Sequence, residues 1–489
     1  MKTINIQKIF VGLFLLLFAV AISISSLQAQ SQTRPNILFI IADDWSYPHA
    51  GIYGDKVVQT PNFDRIAREG TLFRNAYCAS PSCTPSRASL LTGHAVHQLE
   101  EGGNLWGFLP KKFATYPDLL EQAGYAVGST RKGWGPGNFQ AGGFKENPAG
   151  KPYKSFDEFY DQAPKDKPFC FWFGAQDPHR PYDKDTGVQS GMKPEAVNMP
   201  PHFPDTPEVR KDILDYYFEV QRMDRDAGEI IKRLEADGKL DNTLIVWTSD
   251  NGMPFPRSKA NLYNFGTHMP LAIRWPKRVK AAQIVNDYVV LTDVAPTMLE
   301  AVELKVEPSM TGRSWMRLLS GKKDLGREQV FLERERHANV RRGDLSYPVR
   351  AIRTKDFLYI RNLRPDRWPA GDPEMYFAVG EYGDIDDSPT KQLLMNRRGD
   401  SAIERYSKLS LDKRPAEELY DLKIDPGELK NIADDKKYAG AIKKLRVALD
   451  NWMQSTGDSR ANPKTDNDAF DSYPYFGGRG EGVPAPPKK

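Results

Sequence analysis

Cys83 stands in the stretch Ser80-Pro81-Ser82-Cys83-Thr84-Pro85-Ser86-Arg87-Ala88-Ser89-Leu90-Leu91-Thr92-Gly93, a loop that tightens into a helix. Pro85 suits a first helical position, and Gly93 supplies a stop. The sulfur is therefore expected just ahead of a helix N-terminus, where free N–H groups favour negative charge. Arg87, one turn on, adds a fixed cation on the same side. Such a grouping places a nucleophile precursor beside an anion-binding patch. A pair of acids, Asp43-Asp44, and an acid beside an amide, Asp250-Asn251, supply a second kind of chemistry. Their donors are all oxygen, which suits Ca²⁺ or Mg²⁺ and not zinc. Asp177-Pro178-His179-Arg180 adds a histidine at a strand end, with Asp177 and Arg180 as candidates for holding substrate hydroxyls or a carboxylate.

Three elements must deliver these groups. The stretches 36–44, 169–179 and 243–251 each begin as a continuous apolar run and end in polar residues. That is the pattern of strands covered on both faces in a parallel sheet, with ligands collecting outside their carboxyl ends. One rim should then hold Asp43, Asp44, Asp177, His179, Asp250 and Asn251. Helical spacing of apolar residues appears over 62–69 and 116–122. It recurs over 207–234, whose inner face is Ile213, Tyr217, Val220, Met223, Ile230 and Ile231, with Asp224, Arg225 and Asp226 on the solvated side. Residues 135–168 and 180–206 are rich in Gly, Pro and Lys and are expected as surface loops.

The chain has 489 residues, enough for one large α/β domain and a smaller one. A formal charge of +4 argues against nucleic acid as the main partner. Lys2 and Lys8, the apolar run from Phe10 to Ile24, and Leu27-Gln28-Ala29 form a secretory signal over 1–29, with no stable membrane anchor. Only Cys78, Cys83 and Cys170 are present, so no disulfide framework holds the fold, and two buried thiols are expected beside Cys83. Beyond about residue 335 the texture changes. Short antiparallel strands are expected at 346–353 and 357–360, an irregular charged stretch at 372–413, a strand and turn at 418–426, and a closing helix at 438–453. The expected divisions are a catalytic unit over 30–335, a C-terminal α+β unit over 336–460 and a Pro/Gly-rich tail over 461–489.

Cys-x-Pro-Ser-Arg followed by Ala-Ser-Leu-Leu-Thr-Gly resembles the signature of the type I sulfatases. Local stretches are most similar to the heparan N-sulfatase (sulfamidase)-like branch and its bacterial relatives: Asp177-Pro178-His179-Arg180, Ser249-Asp250-Asn251-Gly252 with Pro254-Phe255-Pro256, Asn261-Leu262-Tyr263, and Ser346-Tyr347-Pro348. The resemblance implies an alkaline-phosphatase-like fold, a large mixed sheet sandwiched by helices with a smaller C-terminal α+β domain of antiparallel sheet plus helix. It implies conversion of Cys83 to formylglycine by a formylglycine-generating or sulfatase-maturing enzyme. It implies one divalent cation, calcium foremost and magnesium second, on Asp43, Asp44, Asp250, Asn251 and residue 83. His179 would protonate the leaving group and Lys259 would touch the sulfate.

The chain departs from the family at Thr130-Arg131-Lys132-Gly133. The family carries Gly-Lys-x-His here; Arg131 takes the lysine position with Lys132 beside it, and Gly133 replaces the histidine. His97, in His94-Ala95-Val96-His97, is the candidate substitute, and His268 completes the set of candidate substrate contacts. The expected activity is exo-acting removal of O-sulfate from sulfated oligosaccharides of algal polymers such as ulvan, or of glycosaminoglycans. The runners-up are an N-sulfoglucosamine sulfohydrolase, a phosphonate or phosphate diesterase, and a non-catalytic glycan binder with an unmodified Cys83. The expected location is periplasmic or extracellular, as a monomer or dimer.

Overall fold

A computed structural model describes residues 34–478, apart from 324, 325, 375, 377–379, 463, 465 and 467. The signal segment 1–29 lies outside the described residues. Among the described residues thirteen strands form two sheets: β1 (Asn36–Ala42), β2 (Thr71–Tyr77), β3 (Ala126–Arg131), β4 (Pro152–Tyr153), β5 (Phe169–Gly174), β6 (Thr243–Ser249), β7 (His268–Arg274), β8 (Gln283–Val285), β9 (Val289–Val290), β10 (Gln329–Arg334), β11 (Val349–Thr354), β12 (Phe357–Asn362) and β13 (Glu417–Asp421). The large sheet runs β4-β3-β5-β1-β6-β7-β2-β8, with β9 beside β2. It is mixed, because β7 pairs antiparallel with both β6 and β2. The small sheet, β10-β11-β12-β13, is antiparallel throughout. The fold is thus the alkaline-phosphatase-like α/β arrangement with an antiparallel C-terminal sheet. The first strand of that sheet precedes residue 336.

The four central strands β3, β5, β1 and β6 are parallel neighbours. Every residue of β1, β5 and β6 is buried, as continuous apolar runs require when helices cover both faces. Their register sets the rim: Ala42 pairs with Ser249, Ile41 with Gly174, and Arg131 with Gly174. The chain therefore leaves the sheet at Asp43, Asp250, Ala175 and Lys132 on one edge. Backbone bonds carry the alignment one step further, from Asp250 N–H to Ala42 O at 3.2 Å and from Asp43 N–H to Asp177 O at 3.0 Å.

The 207–234 pattern forms the helix Pro207–Ala236, and Ile213, Tyr217, Val220, Met223, Ile230 and Ile231 are all buried. Asp224 is not on its solvated face. It is 1% exposed and accepts the amides of Asn62 and Phe63, capping the helix Pro61–Glu69. Two further expectations are corrected. The 135–168 stretch contains β4 and the helix Phe156–Gln162. The charged 372–413 stretch contains the helices Pro389–Asn396 and Glu404–Leu411. Polar composition concealed both, because their buried faces are short and are supplied by tertiary contacts. The closing helix Ala439–Ser455 packs Ile442, Leu445, Leu449 and Met453 against Ile352, Tyr359 and Leu419 of the small sheet. Cys78 and Cys170 are free and buried.

Candidate active site

The helix begins at Cys83 itself, with Ser82 as N-cap and Pro85 third, not first. Gly93 closes it with φ 74, the left-handed conformation that glycine adopts without strain. All ten residues of this helix are buried, so it is a polar element sunk into the protein and not an amphipathic cover. Its polar side chains need internal partners, and Arg87 and Ser86 find theirs at the rim. Arg87 donates from Nε to Asp250 Oδ2 at 2.8 Å, and from Nη1 to the carbonyls of Lys132 and Gly133, each at 2.8 Å. Ser86 Oγ donates to Asp250 O at 2.5 Å.

Asp43, Asp44 and Cys83 each bring a ligand atom within 4.8 Å of the others. Cys83 Sγ stands 3.5 Å from Asp43 Oδ1. Asn251 Nδ2 donates to Asp44 Oδ1 at 2.6 Å, which leaves Asn251 Oδ1 buried with no hydrogen-bond partner. Asp44 adopts φ 77, a region Asp tolerates better than most residues. There its amide donates to Asp250 Oδ1 at 3.1 Å. Clustered carboxylates around an orphaned amide oxygen are the donor set of a hard divalent cation, and these residues fit one.

The charges agree. Burial pushes the Asp44 carboxyl up to about 6, against the pull of Lys259 and His179, with Asp43 and Asp250 adding to the rise. Burial would do the same to Asp43, but Lys132 foremost, then His179, Arg87 and Lys259, hold it well below the usual carboxylate range. Lys132 Nζ donates to both Asp43 oxygens at 2.7 Å. Lys259 Nζ meets Asp44 Oδ2 at 2.8 Å and Asp386 Oδ2 at 3.2 Å. Burial, reinforced by Asp43, pushes the Cys83 thiol far up, although Lys132 and Lys259 oppose the rise. An unmodified Cys83 is thus a protonated thiol and a weak nucleophile. His179 lies 3.9 Å from Asp44 through Nε2, while its Nδ1 pairs with the Arg180 carbonyl at 2.5 Å.

Cys83, Arg87, Asp43, Asp44, Asp250, Asn251, Lys132, Lys259 and His179 are thus brought together. Five other expected contacts are spent elsewhere. Arg131 turns outward to Asp226 at 2.7 Å over the Phe173 ring, so Lys132 and not Arg131 supplies the cation at the β3 end. Asp177 takes Arg222 through two bonds, at 2.7 and 2.6 Å. Arg180 lies between the Tyr182 and Phe255 rings and pairs with Asp212 at 2.8 Å. His97 is enclosed by Glu333, Thr456 and Trp452. His268 stacks between Tyr47 and Tyr77 and bonds to Arg74 O, and burial lowers its pKa to about 3. Both histidines are core packing. A residue was also missed: Asp386, from the stretch that composition marked only as irregular, reaches Lys259.

Gly133 is closed to a larger residue. A Cβ there would stand 2.4 Å from Asn147 Oδ1, which accepts the amides of Trp134 and Ala149.

With fold and site in place, the comparisons agree on one class. Residues 35–304 match the sulfatase domain, and residues 257–374 match the C-terminal region of N-sulphoglucosamine sulphohydrolase. The chain belongs to the sulfatase family and is a sulfuric ester hydrolase of its sulfamidase-like branch. It is 32% identical to human N-sulphoglucosamine sulphohydrolase over 87% of this chain and 91% of that one. It is 29% identical to an ulvan-active sulfatase of Formosa agariphila over 88% of this chain and 77% of that one. A solved structure described as a complex with its substrate D-glucosamine-2-N,6-O-disulfate superposes with a TM-score of 0.64 at 22% identity, covering 89% of this chain and all of that one.

Proposed function

We propose that this sulfatase removes sulfate esters from oligosaccharides of sulfated polysaccharides, with residue 83 as the nucleophile after conversion to formylglycine. The observation that carries this is the buried cluster of Asp43, Asp44 and Cys83, with Asn251 bonded to Asp44 through Nδ2 and its Oδ1 unpartnered. Asp43, Asp44, Asp250, Asn251 and residue 83 would hold one divalent cation, calcium foremost. The converted residue would supply a hydrated aldehyde for attack on sulfur, and a cation held there would supply positive charge to the sulfate oxygens.

The remaining roles fall to side chains already placed. Lys132 and Lys259 flank the cluster, where their charges hold sulfate oxygens. His179 Nδ1–H donates to the Arg180 carbonyl, which leaves Nε2 for the departing sugar oxygen, and in the imidazolium form Nε2 carries the proton that His179 gives to it. Arg87 fixes Asp250 and, through the Lys132 carbonyl, the strand end that carries the lysine. Export through the 1–29 signal would bring the protein to polymeric substrates, and a maturing enzyme would act on Cys83. Among the described residues no helix is long and apolar enough to cross a membrane.

The human relative, named for N-sulphoglucosamine hydrolysis, supports a second reading in which the bond cut is N–S. One experiment separates the two and tests both. Protein matured with a converting enzyme is supplied with defined oligosaccharides bearing single O- or N-sulfates, and sulfate release is followed by mass spectrometry and NMR. Release only from O-sulfates supports the primary reading, release only from N-sulfates replaces it, and no release from any member rejects both.

A further inference from the structure

Lys259 lies between two carboxylates of different origin. Asp44 belongs to the β1 end and to the cation cluster. Asp386 arrives from the stretch Tyr382–Ser388, and its Oδ2 meets Lys259 Nζ at 3.2 Å. That stretch is held firmly. Asp384 accepts from Arg334, Arg341 and the Ala338 amide, and Lys391 Nζ donates to Ile385 O at 2.9 Å. Next to Ala338, His337 Nδ1 lies 2.8 Å from Ser82 Oγ, beside Cys83. The C-terminal region thus reaches the site at two places, one beside residue 83 and one beside Lys259.

The chemistry of Asp386 is out of keeping with its neighbours. Lys132, Lys259, Arg87 and His179 are all suited to an anion, whereas a carboxylate opposes sulfate. Lys259 already has Asp44 as counter-ion at 2.8 Å. Asp386 Oδ2 is shielded from water, and among the described residues the one group that meets it is Lys259 Nζ at 3.2 Å, the cation already paired with Asp44. The side chain as a whole is still 26% exposed, so it is not sealed in the core. A carboxylate whose one cation is shared with Asp44, beside lysines suited to an anion, keeps acceptor capacity for a donor that comes with the ligand.

We infer that Asp386 is a specificity-determining residue whose carboxylate accepts a hydrogen bond from a hydroxyl or N–H on the sugar ring that carries the sulfate. The inference rests on the proposed sugar-sulfate reading and extends it. A ring with a carboxylate or a second sulfate at that position is disfavoured by like-charge repulsion.

The test is calorimetric binding to the full chain carrying Cys83→Ala, with Asp386 intact or changed to Asn or Ala. The probes are glucose 6-sulfate, galactose 6-sulfate, N-acetylglucosamine 6-sulfate and inorganic sulfate. Asp386→Ala should weaken at least one sugar sulfate by about tenfold to a hundredfold. Asp386→Asn, which keeps an acceptor oxygen, should weaken it less, and inorganic sulfate should bind no more weakly than before. The inference is overturned if sugar and inorganic sulfate weaken together, if Asn is as damaging as Ala, or if no sugar sulfate distinguishes the variants. The first two results would make Asp386 only the counter-ion of Lys259. Failure of the hydrolase reading shows separately, as matured protein that binds sugar sulfates but releases no sulfate.

Discussion

Arg87 and Asp250 meet at 2.8 Å across 163 positions of sequence, and both side chains are fully buried. The same guanidinium donates to two carbonyls at the β3 end, so one side chain joins the nucleophile helix, the β6 end and the strand that carries Lys132. Removing it leaves Asp250 as a buried charge without its partner. Arg87→Ala should therefore cost about 3–5 kcal/mol in urea unfolding. Arg87→Lys should recover only part of this, because an ammonium lacks the planar fork. An unchanged unfolding midpoint for Arg87→Ala would contradict the account.

Cys83→Ala should abolish sulfate release while costing the fold about 1 kcal/mol, the scale for one small buried group. Cys83 packs against Leu105, Ala338 and Val340, which are apolar and indifferent to the loss of a thiol. Intact-mass analysis of the Cys83 peptide from a host with a converting enzyme should show loss of the sulfur. Sulfate release by an unconverted protein would sink the assignment of the nucleophile.

Cation binding should respond to acid through Asp44. Its folded-state value of about 6 lies above the ordinary 3.8, so the folded protein without cation holds this proton more tightly than the unfolded chain. In that state Asp44 favours folding below 3.8, and the benefit is lost as pH rises through about 6. A cation needs the deprotonated ligand. The gap in thermal midpoint between calcium-loaded and chelated protein should widen as pH rises toward about 6 and then level off. A gap that is constant across this range would refute the assignment of Asp44 as a ligand.

Gly133→His, which restores the residue the wider family carries, should not raise turnover here. Its Cβ meets Asn147 Oδ1 at 2.4 Å, and Asn147 cannot retreat without releasing two amides. The expected cost is about 1–3 kcal/mol by chemical denaturation. Faster sulfate release from a protein of unchanged stability would show that the loop yields.

His97 should behave as a structural residue. Burial depresses its pKa, but Glu333 at 2.8 Å more than reverses this and raises it above 6.5. The charged imidazole thus contributes stability that is fully present below pH 6.5 and lost as pH climbs through the raised value. His97→Gln should lower stability by about 1–3 kcal/mol, most in acid, with KM for any sulfate ester unchanged. A change in KM without a change in stability would return His97 to the site.

Much of the molecule was legible in the chain. The apolar runs that open 36–44, 169–179 and 243–251 declared a buried parallel sheet, because strands covered on both faces lack alternation. Their polar ends placed Asp43, Asp44, Asp250 and Asn251 on one rim, since in such sheets the carboxyl ends share an edge. Composition could not choose between adjacent cations. Arg131 and Lys132 are neighbours in sequence, and only the path of the chain beyond β3 sends one to Asp226 and the other to Asp43. It could not separate core histidines from site histidines either. His97 and His268 differ from His179 in what surrounds them, and those surroundings come from Glu333, Thr456, Tyr47 and Tyr77. Asp386 lay hidden in a polar stretch because its partner, Lys259, is remote in sequence. Local pattern determines which strands form and where they end. Which long side chains meet is decided by tertiary packing, because a lysine, arginine or histidine takes its role from the charges that burial places against it.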